Sequence, residues 1–232
     1  MNTWVKVVRY HLVDRFTFVG YPWAILAFVF LINLAIFASV APPASQHGQS
    51  YSGALAAIYI VFGIVGSRAV SSRLPFALAL GVSRRSFYTG TALLAAGLAA
   101  ANALALTVLQ IIERATGGWG MRLHFFRVPF LLAGPWYLTL PTSFVALAVM
   151  FAWGMWFGLI YQRWNLAGLT AFVAAQITVV TIALVIAFQA HIWPGVGRFF
   201  TVLSIGGLTG ALAVLAMLLL AGGYATIRRV AV

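Results

Sequence analysis

The chain has 232 residues, 63% of them hydrophobic and 7% charged, with a formal net charge of +12. Soluble domains carry about 25% charged residues, so 14 basic and 2 acidic side chains exclude a water-soluble globule and call for lipid as the solvent. Asp14 and Glu113 are the only acids and cysteine is absent, which excludes a paired-carboxylate hydrolase, an acidic metal cage, disulfides and thiolate sites within one copy.

Residues 1–19 are too polar to span. At a helical period Trp4, Val5, Val8, Leu12 and Phe16 share an arc of about 120°. Lys6, Arg9 and Asp14 lie off that arc and Arg15 intrudes on it. The pattern predicts an amphipathic helix in the membrane interface, its basic side on anionic headgroups. Lys6 is the only lysine and stands in no glycine pattern, so the chain has no Gly-rich phosphate loop. Any nucleotide hydrolysis that drives this protein falls to another polypeptide.

Six apolar blocks follow: Tyr21 to Ala41, Tyr51 to Gly66 (extended by Ser67 to Val70), Thr89 to Ile112, Trp136 to Tyr161, Leu166 to Gln189 and Thr201 to Ile227. Most reach the roughly 17–25 residues that cross a hydrocarbon core of about 30 Å as helix. The second is the shortest. The first outside loop, Pro42 to Ser50, is uncharged turn sequence. With the N-terminus inside, Lys6, Arg9, Arg15, Arg68, Arg73, Arg84, Arg85, Arg163, Arg228 and Arg229 are cytoplasmic. Arg114, Arg122, Arg127 and Arg198 are outside. That bias predicts both termini inside. Spread in twos and threes between apolar blocks, the basic residues read as flanks of spans and not as a nucleic-acid footprint.

Trp23, Trp136, Tyr137, Trp164 and Trp193 fall near block ends, as interface anchors do. Trp153 and Trp156 lie deeper in the fourth block, and either neighbour packing or a substrate route accounts for them. Gly154 with Gly158, and Gly206 with Gly210, are small pairs four apart that let helices approach closely. Gly97 within the alanine-rich third block predicts a helix crowded on several sides. Of the polar residues inside blocks, Asn33, Asn102, Gln110 and Gln176, an amide more often bonds a neighbouring helix than a substrate. No ionisable group sits at mid-block, which argues against proton-coupled transport. Asn33, Gln176, Trp153 and Trp156 are the candidate substrate-path residues.

The connection after the second block, Ser67 to Gly90, has internal structure. Pro75 suits the first turn of a short helix, Phe76 to Leu80 supply an apolar face, and Gly81 suits its end. Ser83 caps the next helix, which begins at Arg84. An apolar turn between Arg73 and the pair Arg84 and Arg85 is a docking element for a soluble partner. Its residues are Arg73, Pro75, Phe76, Leu78, Leu80, Gly81, Arg84 and Arg85, within a coupling region at 71–83.

The stretch LALGVSRRSFYTGTALLA, residues 78 to 95, resembles the linker before the third span in the type-2 class of ABC exporter permeases. Gly81, Ser83, Arg84, Arg85, Phe87 and Gly90 match that pattern. The N-terminal segment resembles the family's connecting helix, and GGYATIRRVAV, with Tyr224, Arg228 and Arg229, resembles the inner end of its sixth span. The motif covers about 18 residues, while the topology covers nearly the whole chain. The resemblance implies an all-α polytopic membrane protein, one transmembrane domain over residues 1–232. It would have six transmembrane helices, an interfacial N-terminal helix and a short cytoplasmic coupling helix between spans two and three. It implies a permease in a prokaryotic cytoplasmic membrane that dimerises with a second copy or a paralogue. Separate cytoplasmic ABC ATPase subunits would bind ATP and Mg; the chain itself would hold no cofactor or metal and would not be an enzyme. The family's re-entrant helices lie between spans five and six. Here His191 to Thr201 is brief and Glu113 to Pro135 is longer and more basic.

A lipophilic or amphipathic cargo, such as a drug, an antimicrobial peptide or a lipid, suits apolar spans with scattered amides. The group Arg114, Arg122, His124 and Arg127 is expected to meet anionic headgroups, or else cargo, outside. Four scattered histidines, His11, His47, His124 and His191, give no metal spacing. The alternative is a non-transporting membrane scaffold or sensor subunit docked to an ATPase.

Overall fold

The structure is a computed structural model that describes residues 16–40, 50–128, 134–193, 195 and 204–228. The expected interfacial helix falls mostly outside those residues. Its last turn does not: Phe16–Gly20 is a π turn running directly into α1, Tyr21–Val40. Residues 16–19 are therefore continuous with the first long helix. Phe18 there is buried.

The second apolar block forms α2, Ala56–Ser71, entered through a 3-10 turn at Gly53–Leu55 that the Ser52 hydroxyl caps. Then come α3, Leu74–Ala79, and α4, Arg84–Ala115, whose N-terminus is capped by the Ser83 hydroxyl accepting from Ser86 N at 3.2 Å. Beyond a turn at Gly118–Arg122, the residue pair Leu123–His124 (β2) runs parallel to Ser50–Tyr51 (β1). Through this pairing the segments that follow α1 and α4 meet at one end of the molecule, as helices that alternate in direction require.

The fourth and fifth blocks form a helical stretch of 54 residues, α5, Trp136–Gln189. Straight, it would measure about 80 Å. It is broken at Asn165, whose φ of 55° and ψ of −155° are not helical. The Phe157 and Phe172 ring centroids lie 5.4 Å apart, where a straight helix would set them about 22 Å apart. The chain thus doubles back at Asn165 into two arms, 136–164 and 166–189. The last helix, α6, is Ile205–Ile227, capped by the Ser204 hydroxyl. Among the described residues five helical segments, α5 counted once, are long and apolar enough to cross a membrane. The architecture is mostly helical and polytopic, a bundle of long apolar helices.

The tightest seam joins α2 to the first arm of α5. A Cβ on Gly154 would sit 1.9 Å from Gly63 O, one on Gly66 2.2 Å from Phe151 O, and one on Gly158 2.6 Å from Ser67 O. The expected close approach at Gly154 and Gly158 is present: Gly154 meets Gly63, and Gly158 meets Ser67 and Val70. Gly206 and Gly210 differ: a Cβ on Gly210 would meet nothing within 4 Å and one on Gly206 only its own cap. The glycines of α6 that pack are Gly222, under the Trp156 ring, and Gly223, under the Tyr88 hydroxyl. Those rings also donate hydrogen bonds to α6, Trp156 Nε1 to Leu219 O at 2.9 Å and Tyr88 OH to Leu220 O at 2.6 Å.

Helix α4 is not crowded on several sides. Leu94, Leu98, Asn102, Leu106, Gln110 and Glu113 fall on one buried face, whereas Leu93, Gly97, Ala100 and Leu104 face outward. Alanine occupies both faces, so its density carries no information about the buried one. The polar side chains do: Asn102, Thr107, Gln110 and Glu113 turn inward and leave the apolar face outside, as lipid demands.

Candidate functional site

The short helix α3 has a buried side and a presented side. Leu74 and Ala77 are buried and Leu78 is half-buried against the core. Phe76 is 53% exposed and Leu80 65% exposed. The apolar face expected over Phe76 to Leu80 is therefore split: Leu78 holds the helix to the bundle, and Phe76 and Leu80 project.

Both ends of α3 are fixed by local chemistry. Pro75 stands in the first turn, where its missing N–H costs nothing. At the other end Val82 N bonds Ala77 O at 3.0 Å and Gly81 N bonds Leu78 O at 2.9 Å, the paired bonds of a Schellman cap. This cap places Gly81 at φ +78°, a conformation that disfavours a side chain. A six-residue helix could not hold itself together in water; this one is clamped at both termini and seated on Leu74 and Ala77.

The arginines around α3 are not equivalent. Arg73 lies with its guanidinium 4.8 Å from the centroid of the Phe18 ring, so it braces α3 against the start of α1. Arg84 is half-buried and Arg85 exposed on the first turn of α4, and Arg68 is exposed at the end of α2. At the same end, Gln162 donates from its amide to Ser71 O and ties the first arm of α5 to α2. Arg163 stacks on Trp164, 4.5 Å from the ring centroid. Among the described residues this end carries arginines and no acid.

Of the four substrate-path candidates, the structure brings two together. Trp153 and Gln176, on opposite arms of α5, line one cavity of about 650 Å³ with Phe172. Trp153 also packs edge-on against Phe157 at 5.9 Å and borders a second cavity of about 540 Å³ against α2. Trp156, three positions on, is committed to α6 through its bond to Leu219 O. Asn33 is a staple: its amide donates to Val29 O at 2.9 Å and its carbonyl accepts from the Ser52 hydroxyl at 2.7 Å. The Asn102 amide likewise donates within its own helix, to Leu98 O at 2.8 Å.

The opposite end is organised by a residue that sequence reading left without a role. Glu113 is fully buried on the last turn of α4. Its Oε2 accepts from Phe126 N at 2.8 Å, Phe125 N at 2.9 Å and Trp119 Nε1 at 3.2 Å, and its Oε1 lies 3.6 Å from His124 Nδ1. The segment folded over it closes an aromatic cluster in which Phe30 of α1 meets Trp119 at 5.0 Å and Phe125 at 5.2 Å. A lone acid at the end of an apolar block was the available signal, since such a charge persists only where donors await it. The expected outward group of Arg114, Arg122, His124 and Arg127 does not hold as a unit. His124 is buried beside Glu113, and Arg114 donates to Gly134 O.

Compared with protein families, with curated proteins and with solved structures, the chain matches none.

Proposed function

We propose that this chain is the transmembrane permease subunit of an ATP-driven exporter of the type-2 ABC class, with the two arms of α5 as separate crossings and six crossings in all. The observation that carries the reading is α3: a clamped apolar turn with Phe76 and Leu80 projecting beside Arg84 and Arg85. A partner ATPase that changes its spacing as it binds and hydrolyses ATP would push on such a turn as a rigid handle. The bracing of Arg73 on Phe18 and of Leu74 in the core would pass that push to α1 and α2. The cargo in this reading is lipophilic or amphipathic and moves outward along the interface with a second subunit.

The test replaces the projecting pair, Phe76→Glu with Leu80→Glu, in the complex with its ATPase. Export of a lipophilic dye is expected to cease while the chain still inserts and the ATPase still hydrolyses ATP. Unchanged export in the double variant would overturn the proposal. The second reading, a scaffold or sensor docked to an ATPase, draws on the latched end at Glu113. It predicts intact ATPase docking with no export by the unaltered complex for any lipophilic or peptide cargo.

A further inference from the structure

A cavity of about 540 Å³ lies between α2 and the first arm of α5. Its α2 wall is the stripe Ile60, Gly63, Ile64, Ser67 and Arg68, successive positions on one helical face. Its other wall includes Trp153 and Phe157. Gly63 and Gly154 meet at its floor, where a Cβ on Gly154 would lie 1.9 Å from Gly63 O, so bare backbone leaves the depth. From Ile60 to Arg68 the groove runs about 12 Å along the helix, most of one leaflet's share of a hydrocarbon core of about 30 Å. The lining is apolar except at one end, where the exposed Arg68 stands. Among the described residues the single acid, Glu113, is at the far end of α4, so no described carboxylate meets Arg68.

We infer that this groove binds an anionic phospholipid from the leaflet at the α3 end, one acyl chain along Ile60, Gly63 and Ile64 and the phosphate on Arg68. Charge complementarity selects this occupant. An apolar slot ending in one guanidinium matches a tail that ends in a negative headgroup, and guanidinium pairs with phosphate through two parallel hydrogen bonds. Its long side chain lets Arg68 hold that charge at headgroup depth while its stem lines the slot. The inference needs only the membrane-spanning bundle and does not depend on transport.

The test reconstitutes the full chain in phosphatidylcholine vesicles containing graded amounts of acyl-brominated phosphatidylglycerol or acyl-brominated phosphatidylcholine. Quenching of Trp153 is read as the difference between the chain and its Trp153→Phe variant. Half-quenching is expected at an about fivefold lower mole fraction of the anionic lipid, the effect of one basic residue facing anionic lipid. Arg68→Gln removes the preference, and Arg68→Lys, which keeps the charge but not the paired hydrogen bonds, retains part of it. Three results would overturn the inference: equal quenching by both lipids, a preference that survives Arg68→Gln, or a Trp153 that neither lipid reaches because protein covers the groove.

Discussion

The Glu113 end of the bundle and the α3 end are built by opposite means. At the first, one buried carboxylate gathers two backbone N–H groups and an indole N–H, and folds a chain segment over the aromatic rings of α1 and the turn. Its interactions point inward. At the second, apolar side chains project and the charges are arginines without a described acid to meet them. The contrast separates what each end contributes. Buried hydrogen bonds to a charge are expensive to lose, so the Glu113 end stabilises the fold. Phe76 and Leu80 are mostly exposed and contribute little to the fold.

Substitutions sharpen that contrast by size. The largest effect is expected at the seam joining the two ends. Gly154→Val places a side chain where Gly63 O already stands, and overpacking of this kind costs about 3 kcal/mol or more. Loss of a cooperative thermal transition in detergent is the expected readout. Next is Glu113→Ala, which strands three donors and costs about 3 kcal/mol. Hydrogen exchange at the Phe125 and Phe126 amides should accelerate while α3 is unaffected. Glu113→Gln keeps an acceptor and should lose less.

At the α3 end the effects on stability shrink. Gly81→Val forces a β-branched residue into φ +78° and costs about 1–2 kcal/mol, seen as faster proteolysis near Leu80 with the rest of the bundle intact. Phe76→Glu with Leu80→Glu changes stability by no more than about 0.5 kcal/mol, because both side chains are exposed. A drop in melting temperature as large as that of Glu113→Ala would break the contrast and make α3 a structural element.

How much was legible in the sequence follows the range of each interaction. Pro75, Gly81 and Ser83 act on their own turns, so the bounds of α3 and the start of α4 could be placed from neighbours alone. The reversal at Asn165 was legible as a polar gap between two apolar blocks, although no Pro or Gly marks it. Gly154 announced a close approach, but only the folded chain shows Gly63 as its partner, because both depend on how α2 and α5 are rotated. Trp153 and Trp156 were indistinguishable by type and depth. Their different fates, one lining cavities and one bonded to α6, depend on neighbours that local pattern does not encode. Glu113 read as an isolated acid since its partners are backbone N–H groups, which every residue but proline possesses.

The absence of cysteine makes the central claim directly measurable. A single Phe76→Cys substitution gives one thiol at the tip of α3, to be labelled with a membrane-impermeant maleimide in sealed vesicles of known orientation. The account predicts labelling from the cytoplasmic face only, and protection once the partner ATPase binds. Labelling from the outer face, or none from either because the residue lies in lipid, would contradict it.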